Sequence, residues 1–283
     1  MIEIYSNDSL KIIQDKNNKT MYKIEFNYKC PSLIRSLTKT RIIEGGTITD
    51  DYSCLRFKAL SVKSFPEFIE EYHRVRGSAH LSIILAAKMI SNLSVQLSHL
   101  INSESKTIIG YAPENIIVIN GQTFAFLDSE LVAEIDPVGK EMATISCPFT
   151  VTDFFASPEI LKIKELPSYV HYKTSYFSLG CLLLYALTGG RNAANASSLS
   201  ALSALGALGS FALTEGSFAL TEGPKGTGVC ILEDDFYKEY LKELKCEKIH
   251  EYLTRLHFKN TKLYWLLSRC LVEEPEKRSI LFI

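Results

Sequence analysis

The chain has 283 residues, 46% of them apolar and 22% charged, enough for one large domain or two lobes around a sizeable core. Its 31 basic residues nearly balance 32 acidic ones, and a formal charge of -1 excludes a global field that would draw it to nucleic acid or to an anionic membrane. Seven cysteines, at 30, 54, 147, 181, 230, 246 and 270, are scattered without a CxxC pair or clustered histidines, and read as reduced core thiols of an intracellular protein.

Residues 1–60 carry short stretches rich in Ile, Tyr and Phe ("MIEIYS", "LKIIQ", "TMYKIEFNY", "CLRFKAL"), separated by turn-like "DKNNK" and "EGGTITDD". They predict a small antiparallel sheet. The charged, alternating start predicts no leader peptide, and the longest apolar run, Leu179 to Leu187, is too short for a membrane span. From Ser64 the period becomes helical. Phe65, Phe68, Ile69 and Tyr72 share a face, Ser64 stands at the cap and Pro66 in the first turn. "LSIILAAKMISNLSVQLSHLI" predicts a core helix, and "NIIVI" and "FAFLD" flank Asn120-Gly121, the strongest short hairpin signal. A loop is expected after the hairpin. "TSYFSLGCLLLYALTGG" then predicts a helix buried all round, and residues 234–272 a last helical block. Residues 191–228 differ in kind, being built from Ala, Ser, Leu and Gly with two copies of GSFALTE. They read as a low-complexity insertion in a surface loop, with a partner-binding segment as the second reading.

Several stretches resemble, in order, the landmarks of the eukaryotic-type protein kinases. "PENIIV" (113–118) resembles the end of the catalytic loop, and "FLDSE" the metal-binding strand end, with Asn115 and Asp128 thirteen residues apart. "FFASPEI" resembles the APE motif, "YFSLGCLLLYALTG" the central helix, and "LVEEPEKRSI" the closing segment whose arginine, here Arg278, pairs with the APE glutamate, here Glu159. The resemblance covers most of the chain. It implies an α+β, two-lobed fold with a reduced sheet-rich N-lobe (1–60) and a mainly helical C-lobe (61–283), with the insertion at 191–228 lying after the central helix. The Lys- and Ile-rich composition further resembles kinase-related proteins of large DNA viruses.

In that family catalysis is positioning and charge neutralisation, so each part can be sought. The position of the catalytic-loop base falls on Gly110 and that of the loop lysine on Ala112, and no Asp or Glu lies between Glu104 and Glu114. No register shift restores a base. There is no GxGxxG, and Gly45-Gly46 reads as a hairpin. The resemblance makes Lys23 the candidate strand lysine, with Lys29 second, and finds no helix glutamate in "PSLIRSLTKTRII". Asn115 and Asp128 offer an amide oxygen and a carboxylate to magnesium, or else cap a turn and end a strand; Glu130 adds a ligand or repels phosphates. Ser175 replaces the aspartate that braces the loop.

The resemblance therefore implies a pseudokinase, an interaction or allosteric module for a protein partner, with weak ATP and Mg2+ binding through Lys23, Asn115 and Asp128. It would act in the cytoplasm, the host's in the viral case. The alternative is an atypical low-activity Ser/Thr kinase transferring the ATP γ-phosphate, since general-base help is worth only about 10²- to 10⁴-fold. A third reading is a helical globular protein with accidental matches.

Overall fold

The computed structural model describes residues 1–188, except 8, 78–79, 139–140 and 153, and then residues 253 and 259–280. The insertion at 191–228 and the block from 234 to 252 lie outside the described residues. The fold is α+β, with three antiparallel sheets among the described residues and helices between them.

The first sheet has the order β1 (Ile2–Ser6), β2 (Leu10–Gln14), β3 (Met21–Phe26), β5 (Cys54–Lys58), β4 (Thr47–Ile48). Period-two alternation decides its faces. On β3, Tyr22, Ile24 and Phe26 are buried while Met21, Lys23 and Glu25 are half-buried on the other side. The buried face packs on Ile34 and Leu37 of helix α1 (Pro31–Lys39). Gly45 and Gly46 lie between α1 and β4, with Gly45 in the left-handed region at φ 63°.

The second sheet is β6 (Val62–Ser64), β8 (Ile116–Ile119) and β9 (Thr123–Phe126). The hairpin turns through residues 120–122, with Asn120 (φ 54°) and Gly121 (φ 69°) in the left-handed region. Asn120 Oδ1 also accepts from the backbone N–H of Leu60 (2.7 Å), tying the turn to the incoming chain. Both faces of this hairpin are covered, so all four residues of β8 are buried. Ile117, Ile119 and Ala125 belong to the core under the first sheet, and Ile116, Val118, Phe124 and Phe126 to the larger core of the helices. The hairpin is the seam between the two cores.

Helix α2 (Phe65–Arg76) starts with a capping box, Ser64 Oγ accepting from Glu67 N and Glu67 Oε2 from Ser64 N, and ends on left-handed Gly77. Helix α3 (Ile83–Glu104) then covers the free edge of β9 with two polar residues one turn apart. Asn92 Oδ1 accepts from Phe124 N (3.1 Å), while Gln96 both accepts from Phe126 N (3.0 Å) and donates to Phe126 O (2.9 Å). Among the described helices α3 alone has the length and hydropathy of a membrane span. Here Met89, Leu93, Leu97 and Leu100 fill the larger core, which makes it a core helix.

The expected loop after the hairpin is instead sheet. β7 (Lys106–Ile108), β10 (Val132–Ile135), β11 (Met142–Ile145) and β12 (Ser168–His171) pair antiparallel in the order β12-β11-β10-β7. Among the described residues after 60, seven short strands, β6 to β12, stand beside the helices. Strands of three or four residues such as "VAEI" and "MATI" are too short to set a period; pairing supplies their order. A short helix, α4 (Pro158–Leu161), precedes β12. Helix α5 (Thr174–Thr188) runs through the larger core with Phe177, Leu179, Leu182 and Leu183 fully buried, against helix α6 (Lys262–Cys270). Of the cysteines described, 30, 54, 181 and 270 are buried as expected, whereas Cys147 is exposed.

Candidate functional site

Asn115 and Asp128 meet at the open end of the β8–β9 hairpin. Register brings them there: Ile116 pairs with Phe126, Leu127 N donates to Asn115 O (3.0 Å), and Asp128 comes next. Asn115 Nδ2 donates to Asp128 Oδ2 at 2.6 Å. The other carboxylate oxygen, Oδ1, accepts from Ser9 Oγ (3.0 Å) and from Glu130 N (3.0 Å). Burial raises the Asp128 pKa above the ordinary carboxylate value, and the bonds from Glu130 and Ser9 partly offset it. As held, the pair does not fit a magnesium ion. A hard cation needs oxygens, yet Asn115 turns its nitrogen to the carboxylate, and both carboxylate oxygens already accept hydrogen bonds. Glu130, read from the sequence as a further ligand or a charge repelling phosphates, is exposed.

The segment in the place of a catalytic loop is core. Ile108, Ile109, Tyr111 and Ala112 are buried, Tyr111 completely, with its ring 5.2 Å edge-on to Phe126. At Gly110 a Cβ would stand 2.6 Å from Val151 Cγ2 and 2.9 Å from Cγ1, so the space a side chain needs is filled. Val151 also lines a groove of about 500 Å³ with Phe149, Ile160 and Leu166. Burial pushes the Tyr111 phenol well above its ordinary value and keeps it neutral.

Lys23 stands apart from the pair. It lies on the half-buried face of β3, away from the core that Leu127 enters, and its ammonium is bonded to Glu25. Lys29 is mostly exposed, 3.7 Å from Asp51. Helix α1 carries no acid; its Arg35 makes a two-point contact with Glu104 at the end of α3, 2.8 Å from Nε to Oε1 and 2.5 Å from NH2 to Oε2.

No family model matches the chain, and no curated protein matches it.

Among the described residues, an extensively bonded ionic group lies elsewhere. Arg278 is fully buried and joined to Glu159 through both terminal nitrogens, NH2 reaching Oε2 at 2.9 Å. Its remaining donors reach Val272 O (2.7 Å) and Glu273 O (2.7 Å), and its plane lies 5.0 Å over the Phe177 ring. This welds α4, α5 and the segment after α6. Ser175, which the sequence resemblance set in place of a bracing aspartate, bonds back to Tyr172 O (2.9 Å). The brace on the 108–112 segment comes instead from Ser178, whose Oγ accepts from Tyr111 N at 2.6 Å and is 3.3 Å from Tyr111 O. Ser178 lies in the same quoted helix, one turn on, and sequence reasoning passed over it. Ser9 and Val151 carried no sequence signal.

Proposed function

We propose that this chain is a degenerate member of the eukaryotic-type protein kinase superfamily that transfers no phosphate and serves as an interaction or allosteric module for a protein partner inside the cell. On this reading the first sheet with α1 is a reduced N-lobe, the α3–α5–α6 core is the C-lobe, and the β8–β9 hairpin is their seam. One observation carries it. The segment that would hold the base is closed core, with Gly110 packed under Val151 and no acid anywhere between Glu104 and Glu114. Glycine has no group to orient or deprotonate a hydroxyl. The retained Glu159–Arg278 pair supports the same reading, because it serves folding and needs no nucleotide.

The test is transfer of radiolabelled γ-phosphate from Mg-ATP to a generic protein substrate and to the chain itself. No transfer above the protein-free control is expected. Transfer abolished by Asp128→Asn would overturn the proposal in favour of a low-activity kinase.

A further inference from the structure

The corner where β12 runs into α5 is held by a histidine in a bond that only its neutral ring can make. His171, the last residue of β12, pairs with Met142 of β11, and its side chain is 7% exposed. Its Nδ1 accepts from the backbone N–H of Lys173 (3.2 Å), which puts the proton of the neutral ring on Nε2. Nε2 is buried and makes no hydrogen bond, and the Glu141 carboxylate stands 3.8 Å from it. The ring stacks on Tyr172 with centroids 5.0 Å apart. Among the described residues it is faced by Glu141 before β11, Lys173 at the corner, and Glu276 and Arg278 after α6. Burial lowers the His171 pKa from its ordinary value of 6.5, while Glu141 opposes that effect and Lys173 adds to it.

The corner joins several elements. Thr107 Oγ1 of β7 and Ser175 Oγ of α5 both donate to Tyr172 O, at 3.0 and 2.9 Å. Lys173 Nζ donates to Glu276 O (2.7 Å), and Lys173 O accepts from Arg278 NH1 (3.4 Å). We infer that His171 is a pH-sensitive clasp whose protonation releases the 171–173 corner from the sheet on one side and from the Arg278 junction on the other. An imidazolium carries hydrogens on both nitrogens, so Nδ1 no longer accepts and meets the Lys173 N–H donor to donor. The carboxylate at Nε2 compensates little, being 67% exposed and beyond hydrogen-bond reach at 3.8 Å. Protonation therefore favours an open corner with the ring in water. Because the closed ring is held neutral and the open one titrates near 6.5, closure is full above about pH 6.5 and weakens as the pH falls below it. Between pH 7.5 and 5.5 the open fraction grows by up to about tenfold, following the protonation of a free imidazole. The clasp lies outside the Asn115–Asp128 site and holds whether or not the chain transfers phosphate.

The experiment follows the His171 ring and hydrogen exchange at the Lys173 amide by NMR between pH 7.5 and 5.5, on the full chain as wild type, His171→Asn and Glu141→Gln, with exchange corrected for its intrinsic pH dependence. Wild type should lose up to about tenfold in Lys173 protection as the pH falls. Asparagine offers Oδ1 where Nδ1 stood and does not titrate, so protection in His171→Asn should stay constant. Glu141→Gln removes the carboxylate that favours the cation and should move the ring titration and the loss of protection to lower pH together. Lys173 protection that is unchanged over this range in wild type, or that falls equally in His171→Asn, would overturn the clasp. If His171→Asn fails to fold, wild type and Glu141→Gln still decide, because a ring titration that shifts without the Lys173 exchange would overturn it too.

Discussion

Placing a methyl group on Gly110 tests whether the 108–112 segment is closed core or a vacant loop. The Cβ of Gly110→Ala would meet Val151 Cγ2 at 2.6 Å and Cγ1 at 2.9 Å, against ordinary carbon contacts of about 3.5–4.0 Å. Something must move by about 1 Å, and overpacking of this kind costs about 1–3 kcal/mol. Its neighbours leave little slack, since Ile109 and Tyr111 are buried and Tyr111 N is bonded to Ser178. Val151→Ala removes both offending carbons, after which the nearest contact among those three is Val151 Cβ at 3.4 Å. Gly110→Ala should therefore be destabilising alone and nearly free in the Val151→Ala background, a coupling of about 1–2 kcal/mol. Urea unfolding of the four proteins, followed by circular dichroism, measures the cycle. Additivity within about 0.5 kcal/mol would refute the close packing and with it the claim that the loop has no room for a base. Gly110→Asp should cost more than Gly110→Ala, because it adds an unpaired carboxylate to the same filled space, and should confer no transfer activity.

Glu159→Gln removes one side of a buried ion pair and should cost about 3–5 kcal/mol by urea unfolding, while the apolar pair Glu159→Leu with Arg278→Met should recover part of that loss; a cost below about 1 kcal/mol would show the pair is dispensable. Arg35 holds the Glu104 carboxyl below its ordinary value of 4.5 through its hydrogen bonds. A depressed carboxyl stabilises the fold above the unfolded value and loses that contribution as pH falls through the folded one. The stability advantage of wild type over Arg35→Met should therefore be full near pH 6 and shrink below about pH 4.5. An advantage that does not change across this range would show that the pair is not coupled to folding.

Local chemistry made some of this protein legible. Asn120 and Gly121 take left-handed positions in the connection between Ile119 and Thr123, so the hairpin that brings Asn115 toward Asp128 was legible in sequence, whereas its register, with three residues rather than two in the turn, was not. Ser64 and Glu67 announce the start of α2 because a cap bonds within three residues. The apolar run at 177–187 reads as a helix buried all round because no face is polar. Strands β10 to β12 were not legible, since four residues each give no period and their hydrogen-bond partners lie elsewhere in the chain. Nor were the polar residues that do most at a distance. Asn92 and Gln96 look like interruptions of an apolar stripe until the edge of β9 is set beside them. Lys23 looks like a candidate ligand until the pleat turns it toward Glu25. Sequence alone determined that no acid stands in the 105–113 segment, because composition needs no coordinates. Tertiary structure alone decided that Val151 fills the space over Gly110 and that Ser9, 119 positions away, holds Asp128. Such contacts are made by packing between distant segments, and no local propensity encodes them.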